Sequence, residues 1–211
     1  MDSLNNLQAI GLLYAYMWMF VIGSGAWMTL ATLAAGLSIA RISLGFGPTI
    51  KSTDGPIAVR IGLIPMGSYV TQPENEAGDF KPFPTGVRLA CHAGNMAIPA
   101  IVVLLAIGAA QGVGLLESVA QNFIPATLSP LGKAPSALRE FWAMLKSTPT
   151  LALAQLAVVH FFLGIMSLIL QIIEKHDEGD RTVIGKVRRN LHFFFVALYL
   201  PWLVALVAAF F

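Results

Sequence analysis

The run RISLGFGPTIKSTDGPIAVRIGLIPMGSYV, residues 41–70, decides how this chain is read. It is a long interval of glycine and polar residues set between two hydrophobic regions. Gly45, Gly47 and Pro48 punctuate it, because glycine tolerates positive φ and proline fixes φ. Thr53-Asp54-Gly55-Pro56 is a turn signal: the aspartate closes a local hydrogen bond and the glycine takes the left-handed position. Ile57 to Ile64 follows, rich in β-branched residues, and Pro65-Met66-Gly67 is expected to stop it. The stretch therefore predicts a chain reversal and a small β-hairpin or sheet.

Outward from it, the composition is that of an integral membrane protein. The chain has 211 residues, 56% hydrophobic and only 11% charged, with a mean hydropathy of +0.73. Soluble domains carry roughly 25% charged residues. A net charge of +2 gives no electrostatic footprint for nucleic acid. Cys91 is the only cysteine, so no intrachain disulfide can form. The N-terminal MDSLNN has no basic residue ahead of its apolar run, which argues for a retained first helix and against a cleaved signal.

A helix of about 20 residues crosses a bilayer core, and four runs qualify. They lie at about residues 10–40, 89–111, 151–173 and 191–211, which predicts a mainly α, four-helix polytopic protein forming a single membrane domain over residues 1–211. In the first run Gly23, Ser24, Gly25, Ala26, Ala31, Ala34 and Ala35 are small, which lets another helix approach, from this chain or from a partner. In the last, Pro201 predicts a kink. Between the second and third runs, Leu138, Phe141, Trp142 and Leu145 fall at helical spacing and predict an amphipathic helix on the membrane surface. Basic residues concentrate in the first and third connections: Arg41, Lys51, Arg60, Lys81 and Arg88, then Lys175, Arg181, Lys186, Arg188 and Arg189. The positive-inside rule puts those connections in the cytoplasm and both termini outside it.

The opening stretch also carries a resemblance. SLGFGP, a turn and IGLIPMGSYV are similar to the segment that follows the first transmembrane helix of the site-2 protease family, the intramembrane zinc metalloproteases. Phe80-Lys81-Pro82, Val87-Arg88-Leu89-Ala90 and Ala93-Gly94-Asn95-Met96-Ala97 resemble the family's FxxKPxxxRxxxxxAGPxxN segment at the start of its second helix. Asn95 stands where the family has proline, and Ile98 or Pro99 where it has asparagine. Phe162 to Leu168 resembles NLGIINLLP at its third helix, and Leu170–Glu174 with Val183–Arg189 the linker to its last. The resemblance implies the four-span layout, a membrane-face β region over residues 41–70, and residence in the bacterial inner membrane.

The departures decide what the resemblance implies about chemistry. The family's first helix carries HExxH, whose two histidines bind zinc from one helix face while the glutamate activates water. The corresponding positions here are Ser24-Gly25-Ala26-Trp27-Met28, and no His, Asp or Glu occurs between Asp2 and Asp54. The family's LDGG aspartate is missing too, since Ser167-Leu168 runs straight into Ile169-Leu170-Gln171. The former catalytic position is therefore Ser24, Gly25 and Met28. The expectation is a pseudoprotease with no catalytic residue, metal or cofactor.

Of the histidines, His160 alone falls deep in a predicted span, where it either hydrogen-bonds a neighbouring helix or acts as a ligand or proton carrier. His92, His176 and His192 sit near span ends. The charge run Glu174 to Arg181 reads as a solvated loop. The β region either plugs the fold or pairs with a partner's extended segment by strand addition, which needs only backbone groups. The resulting expectation is a scaffold or accessory subunit that binds other integral membrane proteins in a multi-subunit complex within the lipid bilayer. Its expected partner-binding residues are Ile57, Val59, Ile61, Leu63 and Val70 in the β region, with Gly25 on the first helix. Two other readings stay open: a membrane enzyme or transporter with a site near His160 and Asn95, and a protein that holds clients away from an active protease.

Overall fold

The computed structural model describes residues 3–74, 83–128 and 130–175. The described chain is mainly helical, with one small sheet: α1 (Asn6–Ala34), β1 (Arg41–Thr53), β2 (Ala58–Thr71), α2 (Thr85–Leu128), α3 (Pro130–Ser147) and α4 (Pro149–Lys175). Two helical segments, Asn6–Ala34 and Thr85–Gly108, are long and apolar enough to cross a membrane. The predicted fourth span, residues 191–211, lies outside the described residues, as do His176 and His192. Two compact units divide the described chain, one of Ile10–Ile98 and one of the remainder.

In the first unit, α1 ends and the sheet begins for local reasons. Gly36 takes φ +71, its N–H bonds Leu33 O at 2.9 Å, and Leu37 N–H reaches Thr32 O at 3.2 Å. That is a Schellman stop, which glycine reaches without strain. The two strands then pair in an order that local sequence does not disclose. Arg41–Leu44 runs parallel to Ala58–Ile61 on one side and antiparallel to Ser68–Thr71 on the other. Thr49–Thr53 runs antiparallel to Val59–Gly62 on the latter's second side. The limbs thus lie in the order 49–53, 58–62, 41–44, 68–71. Ala40 closes the base, accepting from Ala58 N–H and donating to Thr71 O, both at 2.9 Å.

Two expectations are corrected here. The strand does not stop at Pro65-Met66-Gly67; β2 runs through it to Thr71, bending where Gly67 takes φ +71. The Gly45–Pro48 segment is likewise a bend inside β1 and not a break between elements, with Gly45 at φ +72 and Gly47 at φ +81. At Gly62 a Cβ would collide with the Phe46 backbone, so the two bends nest only with glycine there.

In the second unit, Asn5 and Gln8 cap α1 reciprocally: Gln8 N–H donates to Asn5 Oδ1 and Asn5 N–H to Gln8 Oε1, both at 2.9 Å. This is the capping-box arrangement, which satisfies two end donors at once. The predicted 89–111 span is interrupted at Gly108, whose φ 76 and ψ 168 are not helical. The chain folds there so tightly that a Cβ on Gly112 would stand 3.0 Å from Val103 Cγ1. Between the second and third predicted spans the described residues from 112 to 147 are helical through α2 and α3, a longer helical stretch than the single amphipathic helix expected there. The amphipathic piece 136–146 sits inside α3, with Leu145 fully buried. Thr148 joins α3 to α4, its N–H bonding Met144 O at 2.7 Å and its carbonyl accepting from Ala152 N–H at 3.1 Å. Along α4 the buried face is Ala152, Ala154, Ala157 and Val158.

Candidate functional site

The Ser24–Met28 stretch of α1 is packed against this chain's own side chains. Ser24, 6% exposed, donates from Oγ to Asn95 Oδ1 at 2.8 Å. One turn along, Trp27 Nε1 donates to Ala90 O at 2.8 Å. Its indole lies over Gly94, where any Cβ would collide with the ring. Gly23 faces Ile98, with 3.5 Å left for a Cβ. Gly23, Ser24 and Trp27 on α1 therefore seat against Ala90, Gly94, Asn95 and Ile98 on α2, a seam in which small residues allow close approach. Thr29 and Thr32 return their hydroxyls to the carbonyls of Gly25 and Met28 at 2.8 and 2.7 Å, so they bring no polar demand to the seam.

Gly25 is buried, and the sheet occupies its space. A Cβ there would collide with Leu44 Cδ2 and stand 3.5 Å from Ser68 Cβ. At Gly25, the docking position expected on α1, the space is taken by β1 and β2, while Ala26, Ala34 and Ala35 stand exposed. Two further contacts carry the sheet along α1: a Cβ on Gly45 would stand 3.3 Å from Trp18 Cη2, and Tyr14 Oη donates to Leu63 O at 2.9 Å. Tyr14 and Trp18 meet edge to face, centroids 6.4 Å apart. The sheet thus runs back beside α1, from a base at Ala40 to a tip level with Tyr14 and Trp18.

Charge follows that axis. Residues 42–50 and 61–73 contain no Asp, Glu, Lys or Arg, while Arg41, Lys51, Asp54 and Arg60 all fall between or before them. At the tip Phe46 (55% exposed), Ile50 (60%), Leu63 and Ile64 stand exposed. Arg60 reaches from β2 to β1, donating from Nε to Thr49 Oγ1 at 2.9 Å and from Nη2 to Gly47 O at 3.1 Å. It ties the glycine bend to the neighbouring limb.

The expected docking residues divide. Val59 and Ile61 are paired on both sides, with Ile42 and Thr53 and with Leu44 and Lys51, so they offer no open edge. Val70 is buried opposite Ile42. Ile57 and Leu63 are exposed, Ile57 just ahead of β2. Two limbs are paired on one side only: Ser68–Thr71, which is partly buried, and Thr49–Thr53, just ahead of the predicted turn, in which every residue is exposed. The uncharged run 42–50, which ends in this limb, is the signal in the sequence that marks it.

Asn95 is engaged by Ser24, and His160 sits half-buried on α4. Among the described residues no three His, Cys, Asp or Glu side chains come together as a metal site. What the described arrangement offers is an open strand edge and an apolar tip. The sequence matches no protein-family model and no curated protein.

Proposed function

We propose that this is a non-enzymatic, site-2-protease-like protein of the bacterial inner membrane, with four spans and both termini outside the cytoplasm. It acts as a scaffold or accessory subunit of a larger membrane-protein complex. The observation that carries this reading is the exposed apolar tip lying beside α1, formed by Phe46, Ile50, Leu63 and Ile64. α1 has 29 residues, and about 20 cross a hydrocarbon core. Wherever that window falls along an upright α1, it includes residues 15–25, and with them the level of Trp18, Gly45, Leu44 and Ser68. Open sheet edges are not tolerated in hydrocarbon; non-helical backbone persists at that depth only against protein or a water-filled cavity. The limb Thr49–Thr53 and the exposed Phe46, Ile50, Leu63 and Ile64 therefore call for a cover, and a partner's extended segment provides it by strand addition.

Two further points support the reading. The positions that resemble the family's catalytic motif and its second-helix segment meet in one seam, at Ser24 and Asn95. The space is taken by Leu44, Ser68 and Trp27, which bring packing and no acid or base.

A photo-crosslinking residue placed at Ile50 tests the proposal in intact membranes. It is expected to capture one membrane protein that also co-purifies at fixed stoichiometry, while the same residue at Thr150, exposed on α4, does not. Equal capture from both positions, or none from Ile50, defeats it. A client-holding protein would use the same edge but release its occupant, so capture at Ile50 with no stable co-purification selects that alternative.

A further inference from the structure

We propose that the face of the sheet turned away from α1 binds the phosphate of an anionic phospholipid headgroup, through Arg41, Arg60, Ser43 and Thr71. The inference rests on the membrane reading of α1 and α2 above.

The pleat sets these residues together. Leu44 and Ser68, directly opposite each other, both meet Gly25 of α1. Register is unbroken from Arg41 to Leu44 against both neighbouring limbs, so alternate residues point to the other face. Those are Arg41 with Thr71 opposite it, and Ser43 with Arg60 on one side and Tyr69 on the other. Neighbouring limbs are about 4.8 Å apart and two residues advance about 6.6 Å, which puts the Arg41 and Arg60 backbones roughly 8 Å apart. The Arg60 guanidinium rests against Thr49 and Gly47 on the far limb, so Arg41 is the arginine free to close on an anion held at Ser43 and Thr71, with Arg60 adding its remaining donors by turning back across its own limb.

The groups have capacity to spare. Arg41 is exposed and makes no hydrogen bond or ion pair among the described residues. Arg60 spends two donors on Thr49 and Gly47, and a guanidinium has five. Ser43 is only 1% exposed, yet its Oγ has no hydrogen-bond partner, and neither does Thr71 Oγ1. Buried hydroxyls without partners are rare and costly. Two orphan hydroxyls beside two arginines form a donor set for phosphate oxygens.

Position selects the source of the phosphate. Arg41 follows closely on the Gly36 stop of α1, and Thr71 leads toward the start of α2 at Thr85. The base of the sheet therefore lies where two apolar helices meet the headgroup layer. Tyr69, half-exposed on the same face, is the amphipathic type enriched there.

The test is native mass spectrometry on the full-length protein, purified in mild detergent, stripped of lipid and titrated with phosphatidylglycerol or phosphatidylcholine. Phosphatidylglycerol should bind at least about fivefold more tightly, since each basic residue near an anionic surface contributes about that factor. Arg41→Gln should remove about fivefold of that preference and leave phosphatidylcholine binding unchanged. Ser43→Ala should lower it by a smaller factor. Arg60 also holds the glycine bend, so Arg60→Gln is interpreted only at an unchanged melting temperature. Equal binding of the two lipids, or an Arg41→Gln protein indistinguishable from wild type, overturns the proposal. Glycerol phosphate displacing the lipid at matched concentration assigns the site to a soluble phosphate and overturns the lipid assignment. If the protein fractionates with membranes yet shows no lipid preference, this inference fails while the membrane reading stands; a protein that does not fractionate with membranes removes the reading first.

Discussion

The base and the tip of the sheet are built from the same two strands, yet they differ as if they belonged to different solvents. The base carries Arg41 and Asp54 and its backbone closes on Ala40, while Lys51 and Arg60 lie between the ends, with the Arg60 guanidinium reaching Gly47 O. The tip carries Phe46, Pro48, Ile50, Leu63 and Ile64, with no charge on either strand. An ordinary half-buried strand separates polar from apolar across its two faces, with a period of two. This sheet separates them along its length. A segment polarised in that direction suits entry into an apolar phase end-on, with its charged end left at the boundary.

That contrast breaks most readily at its tightest point. Gly62→Val should be the most damaging change, because a Cβ at Gly62 overlaps the Phe46 backbone. A loss of about 3 kcal/mol or more is expected, whereas Gly55→Ala near the base, with its nearest outside atom at 3.9 Å, should leave the detergent melting temperature nearly unchanged. A charge at the tip comes next. Leu63→Lys should cost about 2–4 kcal/mol if the tip sits near mid-bilayer, against about 0–1 for Ser52→Lys toward the base. Equal costs, measured as unfolding midpoints in lipid bilayers, would erase the distinction between the two ends. Edge and centre can be separated with proline. Ile50→Pro should keep the fold and abolish co-purification of a partner, because it removes a donor from an open limb. Val59→Pro should lower the folded yield itself, since that limb is paired on both sides. Finer still, Tyr14→Phe removes the hydroxyl that anchors Leu63 O and should cost about 1 kcal/mol. Ser24→Ala, which breaks the bond to Asn95, should cost about 0.6 kcal/mol, the average for interhelical hydrogen bonds in membranes.

Sequence alone made the helical parts legible wherever the signal was local. The expected span at about residues 10–40 covered most of α1, which starts at Asn6 and stops earlier, at Ala34; the spacing of Leu138, Phe141, Trp142 and Leu145 fell inside α3, and the expected 151–173 segment fell inside α4. Gly108 was hidden because a lone glycine in an apolar run does not disclose that it will take positive φ. In the β region the residue types pointed to strand, but the limb order depends on pairing between residues far apart. Arg41–Leu44 sits in the middle of the sheet, which turned the expected edge at Val59 and Ile61 into its interior. The Gly23–Met28 stretch showed which residues were small, but not that Leu44, Ser68 and Trp27 would fill the space. That knowledge required the fold of the sheet onto α1.

The central position of Arg41–Leu44 sets an order of assembly during synthesis. The local pairing of Thr49–Thr53 with Val59–Gly62 can close as soon as the turn between them is made. The Arg41–Leu44 limb, although translated first, gains its second neighbour only after Ser68–Thr71 has left the ribosome. Until then a stretch of chain next to α1 holds unmet backbone groups, at a time when α1, under the proposed membrane reading, is already free to enter the bilayer. Completion of the sheet therefore waits on the last limb, and a translational pause after Thr71 would give it time to close before the second apolar helix emerges.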